Sequence, residues 1–83
     1  MYKFNKIIET KEVSSYLISR WLINQYKKAK TYLQLWLFLQ VKFGLREPKK
    51  DEIYYFRINK KYRAYCIIEN DELRVYKISD HQE

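Results

Sequence analysis

The sequence predicts an α+β domain in which a short N-terminal strand and a helical hairpin precede a three-stranded antiparallel meander, with the helices packed on one face of the sheet. Three observations carry this expectation. Residues 11 to 39 contain no Gly or Pro and repeat apolar side chains at spacings of three and four, the period of an amphipathic helix. Residues 53 to 78 fall into three short alternating segments separated by polar turns, the period of half-buried strands. The one glycine and one proline, Gly44 and Pro48, sit between the two halves, where breakers belong.

Residues 2 to 8 alternate weakly around Phe4, Ile7 and Ile8 and form the first strand. Thr10 followed by Lys11 and Glu12 has the composition of a helix N-cap with an acid in the first turn. The apolar series Val13, Tyr16, Leu17, Trp21, Leu22, Tyr26, Ala29, Leu33, Trp36 and Leu37 runs unbroken beyond it. A bend at Ser19-Arg20 divides it into helices near 11 to 18 and 20 to 38; without that bend it is one long helix. Residues 41 to 52 mix charge with both breakers and form a basic connection. Strands follow at 53 to 58, 62 to 69 and 73 to 78, and turns this short require antiparallel neighbours. The whole chain, 1 to 83, is expected to be one domain, with every element feeding a single small core.

The turns set the register. Three residues at Asn59-Lys60-Lys61 pair Arg57 with Arg63, Phe56 with Ala64 and Tyr55 with Tyr65. Two residues at Asn70-Asp71 pair Ile68 with Leu73, Cys66 with Val75 and Tyr65 with Tyr76. One face then collects Phe56, Ile58, Tyr62, Ala64, Cys66, Ile68, Leu73 and Val75, a core face. The other collects Tyr55, Arg57, Arg63, Tyr65, Ile67, Arg74, Tyr76 and Ile78. Like charges opposed across a ladder repel, so the Arg57–Arg63 pair suits an anion between them, and a phosphate is the natural one. Arginine forks and tyrosine platforms together suit single-stranded nucleic acid. A two-residue first turn would send the two arginines to opposite faces. Taken singly, these residues also fit an ordinary solvated surface or a docking face for another protein.

Composition points the same way. The formal charge is +7, and nine Tyr accompany four Phe and two Trp, a balance that favours polyanionic partners and partly wet rings. An acidic protein would satisfy the same surface. One cysteine excludes an intrachain disulfide, and no Cys/His spacing matches a metal site. No metal or other cofactor is expected. The longest apolar run, Leu35 to Leu39, is far short of the ~20 residues of a membrane-spanning helix, and the N-terminus lacks the apolar stretch of a signal peptide. The expected setting is the reducing cytoplasm, with no membrane partner.

From Arg57-Ile-Asn-Lys-Lys-Tyr-Arg-Ala-Tyr65 through the Asn-Asp turn to Ile78-Ser-Asp-His81, the chain resembles the RelE/ParE superfamily of bacterial toxin-antitoxin toxins. The arginine spacing is closest to YoeB-type members. The resemblance implies a ribosome-dependent endoribonuclease that cuts mRNA in the A site, without metal, through the neighbouring 2'-hydroxyl, and that is held inactive by a cognate antitoxin. It carries Arg63 over as the contact to the scissile phosphate, Arg57 as the preceding strand arginine and His81 as the near-terminal histidine. Glu47, beside Pro48, matches the family's Glu-Pro and is a candidate base, with Asp80 its rival. His81 can be acid or base, since imidazole titrates near neutrality. Family members often end on an aromatic after that histidine, whereas Gln82-Glu83 stand here, so Tyr65 or Tyr76 is the candidate catalytic ring. Lys49, Lys50, Lys60 and Lys61, with Arg74, Tyr65 and Tyr76, are expected to hold RNA, flanked by Lys42 and Arg46. Trp21, Tyr26 and Trp36 are assigned to the core in preference to an antitoxin groove. Two other readings remain open: a ParE-like, non-enzymatic inhibitor of DNA gyrase on the same fold, and a non-toxic RNA-binding module.

Overall fold

Helix and strand fall in the order the patterning predicts, but the strands join into a larger sheet. The computed structural model describes residues 4–80 and is of mixed α+β class. Its elements are strand β1 (Lys6–Glu9), helices α1 (Lys11–Ser19) and α2 (Ile23–Gln34), and strands β2 (Gly44–Leu45), β3 (Tyr54–Arg57), β4 (Tyr62–Glu69) and β5 (Glu72–Asp80). Short 3-10 turns occupy Phe38–Val41 and Lys49–Asp51. The sheet has five strands in the order β1-β5-β4-β3-β2, not the three of an isolated meander. β1 joins one edge parallel to β5, and the two-residue β2 joins the other antiparallel to β3.

Thr10 caps α1 as its residue type requires, accepting from the Val13 amide at 3.1 Å. A tryptophan follows the C-cap of each helix. Trp21 and Trp36 take left-handed φ values of 60° and 61°, the position where a helix C-terminus favours glycine. At the first, the Leu22 amide donates to the Leu17 carbonyl and Trp21 to Ile18; at the second, Leu37 donates to Tyr32 and Trp36 to Leu33. These paired bonds close each helix and reverse the chain, so α2 stops at Gln34 rather than near residue 38. The left-handed conformation costs an L-residue roughly 1–2 kcal/mol. It also swings both indoles off the apolar stripe: Trp21 is 90% exposed and Trp36 54%, which corrects their assignment to the core. The second reversal returns Phe38 and Val41 to the sheet, and an aromatic chain of Phe4, Trp36, Phe38, Phe43 and Tyr54 forms with successive centroids 5.0–5.6 Å apart.

One core joins the helix stripe to the sheet. Leu17 and Leu33 meet Phe56, Ala64, Cys66, Leu73 and Val75, all fully buried. A large apolar side chain so placed contributes roughly 1.5–3 kcal/mol by leaving water. Tyr26 is the core's polar exception. Its hydroxyl donates to Glu9 Oε1 at 2.7 Å, and Lys30 approaches the same oxygen at 3.4 Å.

The β3–β4 register is the predicted one, with Tyr55 opposite Tyr65, Phe56 opposite Ala64 and Arg57 opposite Arg63. The β4–β5 register is right only as far as Cys66–Val75. A bulge then makes Tyr76 the extra residue, so Tyr65 pairs with Lys77, Arg63 with Ser79 and Tyr62 with Asp80. Beyond the bulge the alternation reverses. Ile78, expected on the open face, therefore packs against the core.

Burial raises the pKa of the Tyr26 phenol well above its ordinary value, and the hydrogen bond to Glu9 adds to the shift. In the unfolded chain this phenol ionises near pH 10, so its contribution to stability is present in full below about pH 10 and is lost as the pH rises further. Tyr26→Phe is expected to cost about 1 kcal/mol at neutral pH through the lost hydrogen bond. It should also flatten the alkaline fall in stability, as read by urea unfolding from about pH 8 to about pH 11.

Candidate nucleic-acid interface

The sheet face turned away from the helices is built by the β3–β4 hairpin. Its turn is fixed by Asn59, whose side-chain oxygen accepts from the Lys61 and Tyr62 amides at 2.8 and 2.9 Å. The Asn59 amide group donates to Gln25 Oε1 of α2 at 2.7 Å, tying the turn to the helical layer. The hairpin closes where the Ile58 amide donates to the Tyr62 carbonyl at 3.0 Å. Arg57 and Arg63 are thereby held opposite one another on the face that also carries Tyr55 and Tyr65.

Rings and guanidinium groups interleave there. The Arg63 guanidinium lies 4.8 Å from the Tyr55 ring centroid, and that of Arg46 lies 5.5 Å from Tyr65. Tyr55 in turn lies over its strand partner Gly44, where a Cβ would come within 3.1 Å of the Tyr55 hydroxyl. The only glycine of the chain thus makes room for a ring, as well as breaking the helical half. Cation–π contact disperses charge and draws Arg63 diagonally across the hairpin toward Tyr55 of β3. Arg57 instead lines a groove at the free edge of β3, beyond the point where β2 ends.

The bulge adds to this face. Tyr76 and Lys77 are both exposed beside Tyr65, and Ser79 lies opposite Arg63. Partial burial raises the Tyr76 pKa and the neighbouring Arg46 opposes the rise, so the phenol keeps its proton at neutral pH. Nothing in the sequence marks the bulge, so strand alternation alone does not bring Lys77 and Ser79 to this face. Arg74 reaches the face as expected, but Glu72 holds it at 2.8 Å and Glu69 at 3.7 Å.

The remaining candidates are dispersed. Asp80 pairs with Tyr62, which places it by alternation on the helix side of the sheet, away from Arg63; Lys61 approaches it at 3.9 Å. Glu47 is exposed on the loop directly after Arg46, and Lys49 and Lys50 are exposed in the following 3-10 turn. Lys60 and Lys61 are exposed in the β3–β4 turn, and Lys61 lies 5.5 Å from the Tyr62 ring centroid. His81 lies outside the described residues. Cys66 is fully buried, and desolvation pushes its thiol far above its ordinary pKa, which removes it as a nucleophile. Among the described residues no cluster of His, Cys, Asp and Glu is placed to hold a metal ion, and no helix is long and apolar enough to cross a membrane.

The chain matches no family model and no curated protein. What the face can do therefore follows from its own chemistry. Two opposed guanidinium groups, two further cations in Arg46 and Lys77, and three tyrosines form a surface suited to phosphates and unstacked bases.

Facing arginines also leave a thermodynamic mark. Arg57→Gln is expected to raise stability by roughly 0.2–1 kcal/mol at low ionic strength, through removal of a like-charge cross-strand pair. Urea unfolding should show the gain shrinking in high salt, where exposed charges are screened.

Proposed function

We propose that the chain is the toxin of a type II toxin-antitoxin pair, a ribosome-dependent endoribonuclease of the RelE/ParE type that cuts mRNA in the A site and arrests translation in the cytoplasm. The observation that carries this reading is the Arg57–Arg63 pair on a tyrosine-lined sheet face. Cleavage needs no metal. The 2'-oxygen attacks the adjacent phosphorus, a base takes the 2'-proton, and the bond from phosphorus to the 5'-oxygen breaks as that oxygen is protonated. The products are a 2',3'-cyclic phosphate and a 5'-hydroxyl.

Arg63 and Arg57 are the groups for the charge that develops on the phosphorane, where such stabilisation is the largest catalytic term. Tyr55 and Tyr65 are stacking platforms for the flanking bases. Tyr76 keeps its proton at neutral pH and is suited to donate to the leaving oxygen. Glu47 and His81 are the candidates for the 2'-proton, and Asp80 ranks behind them because its register sets it on the other side of the sheet. Lys49, Lys50, Lys60, Lys61 and Lys77 would steer ribosomal and messenger phosphates, contacts that position without reading sequence. The antitoxin would act by covering the arginine face.

Ribosomes programmed with a defined mRNA test this directly by primer extension. The wild-type chain should cut in the A site, and Arg63→Ala should lower the cleavage rate by about 10²-fold or more, the scale for removing one donor to a developing oxyanion. Full-rate cleavage by Arg63→Ala would contradict the assignment. Intact mRNA together with inhibited supercoiling would instead favour the gyrase-inhibitor reading.

A further inference from the structure

Arg57 belongs to two surfaces at once. It shares the open face with Arg63, and it also lines a groove of about 460 Å³ that runs between α2, the Phe38–Val41 turn and the β3–β4 turn. Three lysines line that groove with it: Lys28 from α2, Lys42 after the 3-10 turn and Lys60 from the hairpin tip. No carboxylate does. Three cations outside it are held by carboxylates: Lys30 by Glu9, Lys61 by Asp80, and Arg74 by Glu69 and Glu72. None of the four groove cations has an ion-pair partner among the described residues.

Four uncompensated cations around one concave floor hold a concentrated positive potential that an extended polyanion relieves. The floor suits a nucleotide. Ala29 and Val41 give it an apolar base, Tyr32 a ring, and Gln40 an amide able to reach a base edge.

From these features we infer that the groove is a second RNA subsite, which grips the phosphodiester backbone of the strand next to the segment on the arginine face. The inference rests on the RNA-cleaving reading of that face and extends it. The strand passes over the free edge of β3, where β2 has ended, and Arg57 serves both sides of the crossing. The groove also explains why Arg57 does not stack on a ring as Arg63 does: its guanidinium bridges two consecutive phosphate sites. A nucleic acid is favoured over an acidic peptide because the groove is continuous, through Arg57, with the tyrosine platforms.

The test is fluorescence anisotropy of a short single-stranded 2'-O-methyl oligouridylate, which cannot be cleaved, measured against salt. The groove pair is Lys28→Gln with Lys42→Asn; Asn suits position 42 because it tolerates the left-handed φ of 51° there. The control pair is Lys11→Gln with Lys27→Gln, which lowers net charge equally on residues outside the groove. The slope of log K against log salt should fall by about 1.4 in the groove pair, at about 0.7 for each single-strand phosphate that a lysine no longer neutralises. The control slope should stay unchanged. Equal slopes in the two pairs, or unchanged RNA binding with loss of polyglutamate binding in the groove pair, would overturn the inference. A-site cleavage on ribosomes, measured in parallel, separates the two claims. Cleavage with equal slopes removes the groove and leaves the nuclease; selective slope loss without cleavage removes the nuclease and leaves the groove.

Discussion

Asn59 holds the β3–β4 hairpin in the one register that puts Arg57 opposite Arg63. Its carbonyl oxygen takes two backbone amides across the turn, and its amide group reaches Gln25 on α2. A slip of one residue would carry every side chain of a strand to the other face. Phe56, buried against the helices, would then meet solvent, and the two arginines would part. The core and the charged face thus depend on the same three hydrogen bonds, because Phe56 and Arg57 are adjacent on one strand.

That coupling explains how so small a core tolerates a repulsive pair. Phe56–Ala64 packing fixes the strands from one side, while the arginines diverge on the other, Arg63 toward Tyr55 and Arg57 toward the β3 edge. The repulsion of an exposed cross-strand pair is at most about 1 kcal/mol. Each buried side chain beneath contributes more than that. Charge that weakens the fold slightly is what a phosphate site needs, since the anion then relieves it.

The hairpin was legible in the sequence because its signals are local. Alternation, three turn residues and an asparagine at the turn are enough to fix Arg57 against Arg63, and the Thr10 cap and core stripe are local in the same way. Longer-range or backbone-driven features were not. Pairing of β1 with β5 depends on segments more than sixty residues apart, and two residues of β2 are too few to show a period. Trp21 and Trp36 close helices in a conformation their residue type disfavours, so no composition rule marks them. The bulge at Tyr76 lacks a glycine, and it alone moves Ile78 to the core while bringing Lys77 and Ser79 to the face. Lys42 lines one groove with Lys28 and Arg57 only because the chain reverses at Trp36.

Arginine Nε–H resonances provide the most direct test of a phosphate between the facing pair. In a titration of the ¹⁵N-labelled chain with a 2'-O-methyl RNA, the signals of Arg57 and Arg63 should shift together and saturate with one affinity. Arg74, held by Glu69 and Glu72, is the internal reference and should stay nearly still. Arg57 and Arg63 signals that do not move, or an Arg74 signal that moves first, would contradict a phosphate site on this face.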